Sequence, residues 1–118
     1  MTTRQEAITA VADDLRAEGI TCTIFDRPPS ATEAPNPHVA VMLTSDDPTE
    51  FNMTVYVVTM ASLPSAEAAY RDHLNLVQQV DEALDAAGYG PPAGSYSARQ
   101  DMDAYVYQFD IQFPRDDF

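Results

Sequence analysis

The run Phe51–Met60, FNMTVYVVTM, constrains this chain more than any other segment. Read as a strand, it sends Met53, Val55 and Val57 one way and Tyr56, Val58 and Met60 the other. Both faces are then apolar, where a half-exposed strand would alternate with polar residues. His38–Thr44, HVAVMLT, is a second run of the same kind, and Ser45-Asp46-Asp47-Pro48-Thr49-Glu50 between them is turn chemistry that joins an antiparallel hairpin. A sheet built on this hairpin needs cover on both sides.

The rest of the chain supplies cover for one. Thr3 and Glu6 have the spacing of a capping box, so a helix begins there, and Gly19 ends it. Ile8, Val11, Ala12 and Leu15 share its apolar face. Ser62-Leu63-Pro64-Ser65 offers N-caps and a first-turn proline for a second, longer helix that closes at Gly88. Its apolar stripe is Ala69, Tyr70, His73, Leu74, Val77, Val80, Ala83, Leu84 and Ala87. Ile20–Asp26 reads as a strand stopped by Arg27-Pro28-Pro29. Tyr96–Arg99 has the makings of a short edge strand. Ala104–Phe113 alternates, with Tyr105, Tyr107, Phe109, Ile111 and Phe113 on one face and Gln108, Asp110 and Gln112 on the other. The expectation is one α+β domain over residues 1–118, of order α-β-β-β-α-β, with about four mostly antiparallel strands and two helices packed on one face. The other apolar face, with Met42, Tyr56, Val58 and Met60 nominated, is then expected to meet a subunit or partner, because monomers seldom leave large apolar patches in water.

Charge narrows the partners. Six basic residues, all arginine, against 19 acidic ones give a net charge of −13. A general binder of nucleic-acid backbone needs clustered cations to displace counterions, and an anionic membrane surface makes the same demand. No window has the length of an apolar membrane span and the N-terminus lacks a signal-peptide layout, so the expectation is a soluble protein made and kept in the cytoplasm.

Catalytic chemistry finds no frame. Cys22 is the only cysteine, so it has no disulfide or zinc-site partner, and it reads as a small buried hydrophobe. His73 falls in the apolar stripe of the long helix as a packed core residue, and His38 ends a loop. Two histidines without a third ligand do not build a transition-metal site. Asp46, Asp47 and Glu50, and Asp101 with Asp103, read as solvated turns, since neither group has calcium-loop spacing. The chain has four glycines, two of them at helix ends, and no phosphate-cradling loop. The expectation is therefore a non-enzyme with no cofactor and no metal.

Two proline-rich stretches remain, one carrying Pro28, Pro29, Pro35 and Pro37 and the other, within Tyr89–Asp103, carrying Pro91 and Pro92. They are long for a compact domain and are nominated as contacts to partners.

Taken whole, the opening helix ending in Gly19-Ile20, the strand before a proline-rich loop, the hairpin HVAVMLT…FNMTVYVVTM, the helix AEAAYRDHLNLVQQVDEALDAAGYG and the closing strand YVYQFDIQFP resemble the tail terminator proteins of long-tailed phages. The resemblance covers nearly the whole chain and rests on the order and character of elements. The same order also looks like that of related head-tail joining proteins. It implies a structural virion protein, assembled in the host cytoplasm and located in the tail or neck. Such a protein forms a ring, usually a hexamer, on the head-proximal end of the tail tube. The ring stops polymerisation of the major tail-tube protein and presents a surface to head-tail connector proteins. DNA would pass through without specific binding, and an acidic lumen suits that passage. Two rivals come from other classes. A small-ligand-binding domain would need a pocket lined by Tyr56, Tyr105, Tyr107 and His73, whereas an acidic chaperone-like protein would form a stable dimer.

Overall fold

Helix α1 (Arg4–Ala17) starts where Thr3 and Glu6 exchange the two bonds of a capping box: the Glu6 amide donates to Thr3 Oγ1 at 3.1 Å and the Thr3 amide donates to Glu6 Oε1 at 3.4 Å. The protein is described by a computed structural model at residues 3–25, 38–46, 48–60, 66–89, 93–96 and 104–114. Strands β1 (Cys22–Phe25), β2 (His38–Asp46) and β3 (Glu50–Met60) follow, then helix α2 (Ala66–Ala86), strand β4 (Ala93–Tyr96) and strand β5 (Ala104–Pro114).

Both helices end in the same way. Gly19 and Gly88 sit at φ of 84° and 92°. In each case the glycine amide bonds a carbonyl three residues back, and the next amide, of Ile20 or Tyr89, reaches the carbonyl of Leu15 or Leu84. These are Schellman motifs, closed by the contacts expected between Ile20 and Leu15 and between Tyr89 and Leu84. A Cβ at Gly88 would meet no atom within 4 Å. Gly88→Ala therefore isolates the cost of placing an L-residue in left-handed backbone, and a loss of about 1 kcal/mol is expected from urea unfolding midpoints. Gly88→Asn, which tolerates that conformation better, should lose less.

The strands form one mixed sheet of order β1-β2-β3-β5-β4. The hairpin is antiparallel as expected, with Val39 opposite Val57 and Val41 opposite Val55, and a bulge at Thr44 shifts the register before Ser45 meets Asn52. β3 and β5 pair along their full lengths, from Glu50 opposite Pro114 to Met60 opposite Ala104.

The expected α+β fold, with mostly antiparallel strands and two helices on one face, is the one observed, and two features add detail to the sheet. It has five strands, because the edge strand begins at Ala93 and pairs with β5 (Gly94 opposite Phe109, Tyr96 opposite Tyr107), while residues 97–99 of the expected edge strand lie outside the described residues. The order α-β-β-β-α-β holds, with β4 inserted before the last strand. The second is that β1 runs parallel to β2, Cys22 beside Val39 and Phe25 beside Met42, while the other three pairings are antiparallel. A parallel neighbour requires the chain to return from the end of β1 to the start of β2, which takes a connection of roughly a dozen residues and not a tight turn. The proline-rich stretch between Phe25 and His38 has that length. β3, α2 and β4 form a split β-α-β unit, with β5 paired between its two parallel strands.

Both helices pack on one face. Ala7, Val11, Ala12 and Leu15 of α1 and Val80, Ala83 and Leu84 of α2 share a core with Val39, Val41, Phe51, Met53, Val55, Val57, Phe109 and Ile111. Tyr89 Oη donates to Asp14 Oδ2 at 2.6 Å and ties the end of α2 to α1. Burial and that bond to a carboxylate push the Tyr89 pKa up, so the phenol stays protonated. Among the described residues no helix is long and apolar enough to cross a membrane.

Candidate interaction surfaces

Among the described residues one face of the sheet carries no helix, and this helix-free face has two unlike ends. At one end Ala40, Tyr56, Val58 and Val106 form a second apolar cluster, with Phe25 and Met42 packed against it. The opposite end is polar. There Thr54 Oγ1 donates to Asp110 Oδ1 at 3.2 Å across β3 and β5, Asn52 Nδ2 donates to Ser45 Oγ at 3.2 Å, and Thr44 Oγ1 donates to the Asn52 carbonyl at 3.0 Å. Cross-strand bonds of this kind satisfy the side chains, with Thr54 buried and Thr44, Ser45 and Asp110 exposed.

The nominated interface residues fall on this face as their alternation requires, yet they do not form an open apolar patch. Tyr56 is 6% exposed and Val58 1% exposed within the single chain, and Met42 is half-buried. Met60 is described by its backbone alone, opposite Ala104. Because water is already excluded from Tyr56 and Val58, burying them against a neighbour would gain little further hydrophobic free energy. Of the three nominees whose side chains are described, Met42 retains apolar area to offer. The loop nominees Pro28, Pro29, Pro35, Pro37, Pro91 and Pro92 lie outside the described residues, as do Asp47, Asp101 and Asp103.

The residues weighed for catalysis are kept apart by the fold. Cys22 lies beneath α1, its Sγ 3.4 Å from the Ala12 carbonyl, while Arg16 Nη2 donates to the Cys22 carbonyl at 3.1 Å. Burial pushes the Cys22 thiol pKa up, with Asp13 adding to the rise and Arg16 opposing it, so thiolate is disfavoured. His38 sits at the apolar end of the helix-free face, its ring 6.2 Å from that of Phe25. His73 is on the opposite side of the sheet, fully buried under α2. The two imidazoles therefore cannot share a ligand. Among the described residues no three His, Cys, Asp or Glu side chains gather closely enough to hold a metal ion.

His73 Nδ1 lies 3.2 Å from Thr59 Oγ1, and its ring is 5.6 Å from that of Tyr105. Removal from water pushes its pKa down to about 4. The unfolded chain takes up a proton near pH 6.5 and the folded chain near 4, so the stability held by the neutral ring is complete above pH 6.5 and is lost as pH falls through that window. Urea midpoints of the native chain and of His73→Gln should accordingly converge as pH is lowered from 7 to 4.5. Parallel profiles would show that the ring is not held neutral by burial.

A surface that alternation alone does not reveal lies on the flank of α2 facing β5. Tyr70 and Leu74 belong to the expected apolar stripe but are 45% and 38% exposed, and the Tyr70 ring packs 5.2 Å from that of half-buried Tyr105. Val77, half-buried, extends the same flank by one turn. The signal available in the sequence was the width of the stripe, which exceeds what the sheet beneath one helix can cover. On the other flank, between the C-terminal ends of the two helices, is an open groove of about 340 Å³ with Ile20, Ala83 and Ala86 as its apolar lining and Glu18, Gln79 and Glu82 as its polar lining. Glu67, Asp72, Asp81, Glu82 and Asp85 are all exposed on α2, where Arg71 is the one basic residue and pairs with Glu67 at 2.6 Å.

No protein-family model matches this chain, and no curated protein matches it.

Proposed function

We propose that this chain is a structural virion protein of the tail-terminator kind, which assembles with copies of itself into a ring on the head-proximal end of a phage tail tube, stops tube growth and receives the head connector. The observation that carries the reading is the layering: a mixed sheet with both helices on one face and, on the other, an apolar end and a polar end. That layering has the element order on which the resemblance rests, and it separates two surfaces that a stacked ring can use independently. The helix-free face, with Met42 at its apolar end, is assigned to a partner layer such as the tube. The helical face is assigned to contacts around the ring.

The charge supports the reading from another direction. At −13, a ring of such chains carries a strongly negative field, and the exposed carboxylates of α2 have few cations among them. Such a surface repels phosphate and leaves DNA free to move past it. The test is a mixture of this chain with polymerising tail-tube subunits, followed by electron microscopy. Tubes that cease to lengthen and carry a ring at one end are the expected result. Tubes that elongate at an unchanged rate with bare ends would refute the assignment.

A further inference from the structure

The two flanks of α2 carry surfaces that complement each other and not themselves. One presents Tyr70 and Leu74, exposed, with Arg71 beside them and its side chain 72% exposed. The other is the groove of about 340 Å³ whose apolar floor is Ile20, Ala83 and Ala86 and whose rim holds Glu18 and Glu82. The carbonyl end of α1 terminates at this groove, with Glu18 as its C-cap, and adds the negative end of a helix dipole to the two carboxylates. Arg16, in the last turn of α1, is engaged by Asp13 and the Cys22 carbonyl, and Arg71 is the only arginine on α2.

We infer that copies of this chain associate head to tail, with Tyr70, Arg71 and Leu74 of one copy seated in the groove between α1 and α2 of the next. The occupant is fixed by matching on both counts, since an apolar protrusion meets an apolar floor and an exposed guanidinium meets two carboxylates at a helix C-terminus. Moving Arg71 from Glu67 to the neighbour's groove costs little, because the Arg71–Glu67 pair is exposed and solvent screens it. Tyr70 and Leu74 lie on the opposite flank of α2 from the groove floor and are offset from it along the helix by about 15 Å, at 1.5 Å per residue, while Arg71 and Glu82 both project from the outer face between the two flanks. Each copy therefore uses both surfaces on different neighbours. This is a heterologous contact, which propagates into a closed ring or an open filament and is not satisfied by a two-fold dimer. The inference rests on the ring-forming reading above and assigns the contact within it.

Charge reversal tests it. Sedimentation velocity over a wide concentration range is expected to show the native chain assembling beyond a dimer. Arg71→Glu and Glu82→Arg should each weaken assembly about tenfold or more, as loss of a close interfacial charge pair does. The double variant Arg71→Glu/Glu82→Arg should recover most of the loss, because the pair is restored with its sign inverted. Both sites of change are exposed, so circular dichroism of the variants should superimpose on that of the native chain. Native chains that stay monomeric, a closed two-subunit particle, or single losses that the double variant does not recover would each overturn this contact. Rings that form equally well with Arg71→Glu and Glu82→Arg would overturn it while leaving the tail-terminator reading standing, and the tube-capping mixture judges that reading by itself.

Discussion

Val58→Asp is expected to unfold this protein, whereas Met42→Asp is expected to leave it folded. Both residues lie on the helix-free face of the sheet, and both read from sequence as interface positions. They differ in how far water is already excluded. Val58 is 1% exposed, stands opposite His38 on β2 and Val106 on β5, and belongs to the cluster of Ala40, Tyr56 and Val106. A carboxylate there has no room to reach solvent, and an uncompensated buried charge costs several kcal/mol or forces the group to stay protonated. Against a total stability of about 5–15 kcal/mol for a domain, that is enough to abolish cooperative folding or to move the midpoint by tens of degrees. Met42 sits at the edge of the same cluster and is half-buried. An aspartate there can turn outward, so a small fall in midpoint is expected, and a defect in partner binding would appear in a folded protein. Far-ultraviolet circular dichroism with thermal melts distinguishes the pair. A Val58→Asp chain that melts cooperatively near the native temperature would show that this face is not part of the single chain's core.

This pair of residues also marks where the sequence ceased to be legible. Alternation correctly assigned Met53, Val55 and Val57 to one face and Tyr56 and Val58 to the other, because strand geometry leaves no other choice. What alternation does not encode is what lies against each face. An apolar residue buried within its own chain and one awaiting a partner have the same pattern. The helix ends were legible for a stronger reason. The capping box at Thr3 and Glu6 and the glycines at 19 and 88 are local chemistry, satisfied within a few residues, and no distant contact decides them. The parallel pairing of β1 with β2 is the reverse case. Neither strand carries a mark of direction, and the only trace was the length of the proline-rich segment between them. The exposure of Tyr70 and Leu74 has a similar origin. Both fall within the apolar stripe, but α2 lies over β3 and β5 with α1 on one flank and, among the described residues, only the short edge strand β4 beyond β5, so the far side of the stripe stays exposed. The surface proposed to join copies is thus a residue of packing geometry, and periodicity by itself would have counted it as core.

The second large effect is expected at Phe109. β5 carries Tyr105, Tyr107, Phe109, Ile111 and Phe113 on the face beneath the helices, yet only Phe109 and Ile111 of these are fully buried. The reason is position. Phe109 is at the centre of β5, opposite Val55 on one side and Gly94 on the other, with the Tyr107 ring 4.8 Å from its own. That neighbouring ring leans over Gly94, where any Cβ would collide with it, so the glycine is the space the aromatic pair requires. Truncating Phe109 to alanine removes a ring at 2% exposure from the junction of β3, β5 and the helical layer, and neighbours locked in a sheet collapse into the void only in part. A loss of about 3–5 kcal/mol is expected, which lowers the melting midpoint by roughly 10–20 °C in a domain of this size. Phe113→Ala supplies the internal comparison. Phe113 lies four residues along the same face, half-buried, against Tyr89 at a ring distance of 6.2 Å. The cost of truncating a core side chain scales with the volume it leaves empty, so Phe113→Ala should lose less than half as much. Equal losses at the two positions, read from denaturant midpoints at a common slope, would mean that the burial gradient along β5 is wrong. The placement of α2 over that strand, and with it the exposed flank at Tyr70 and Leu74, would then be wrong as well.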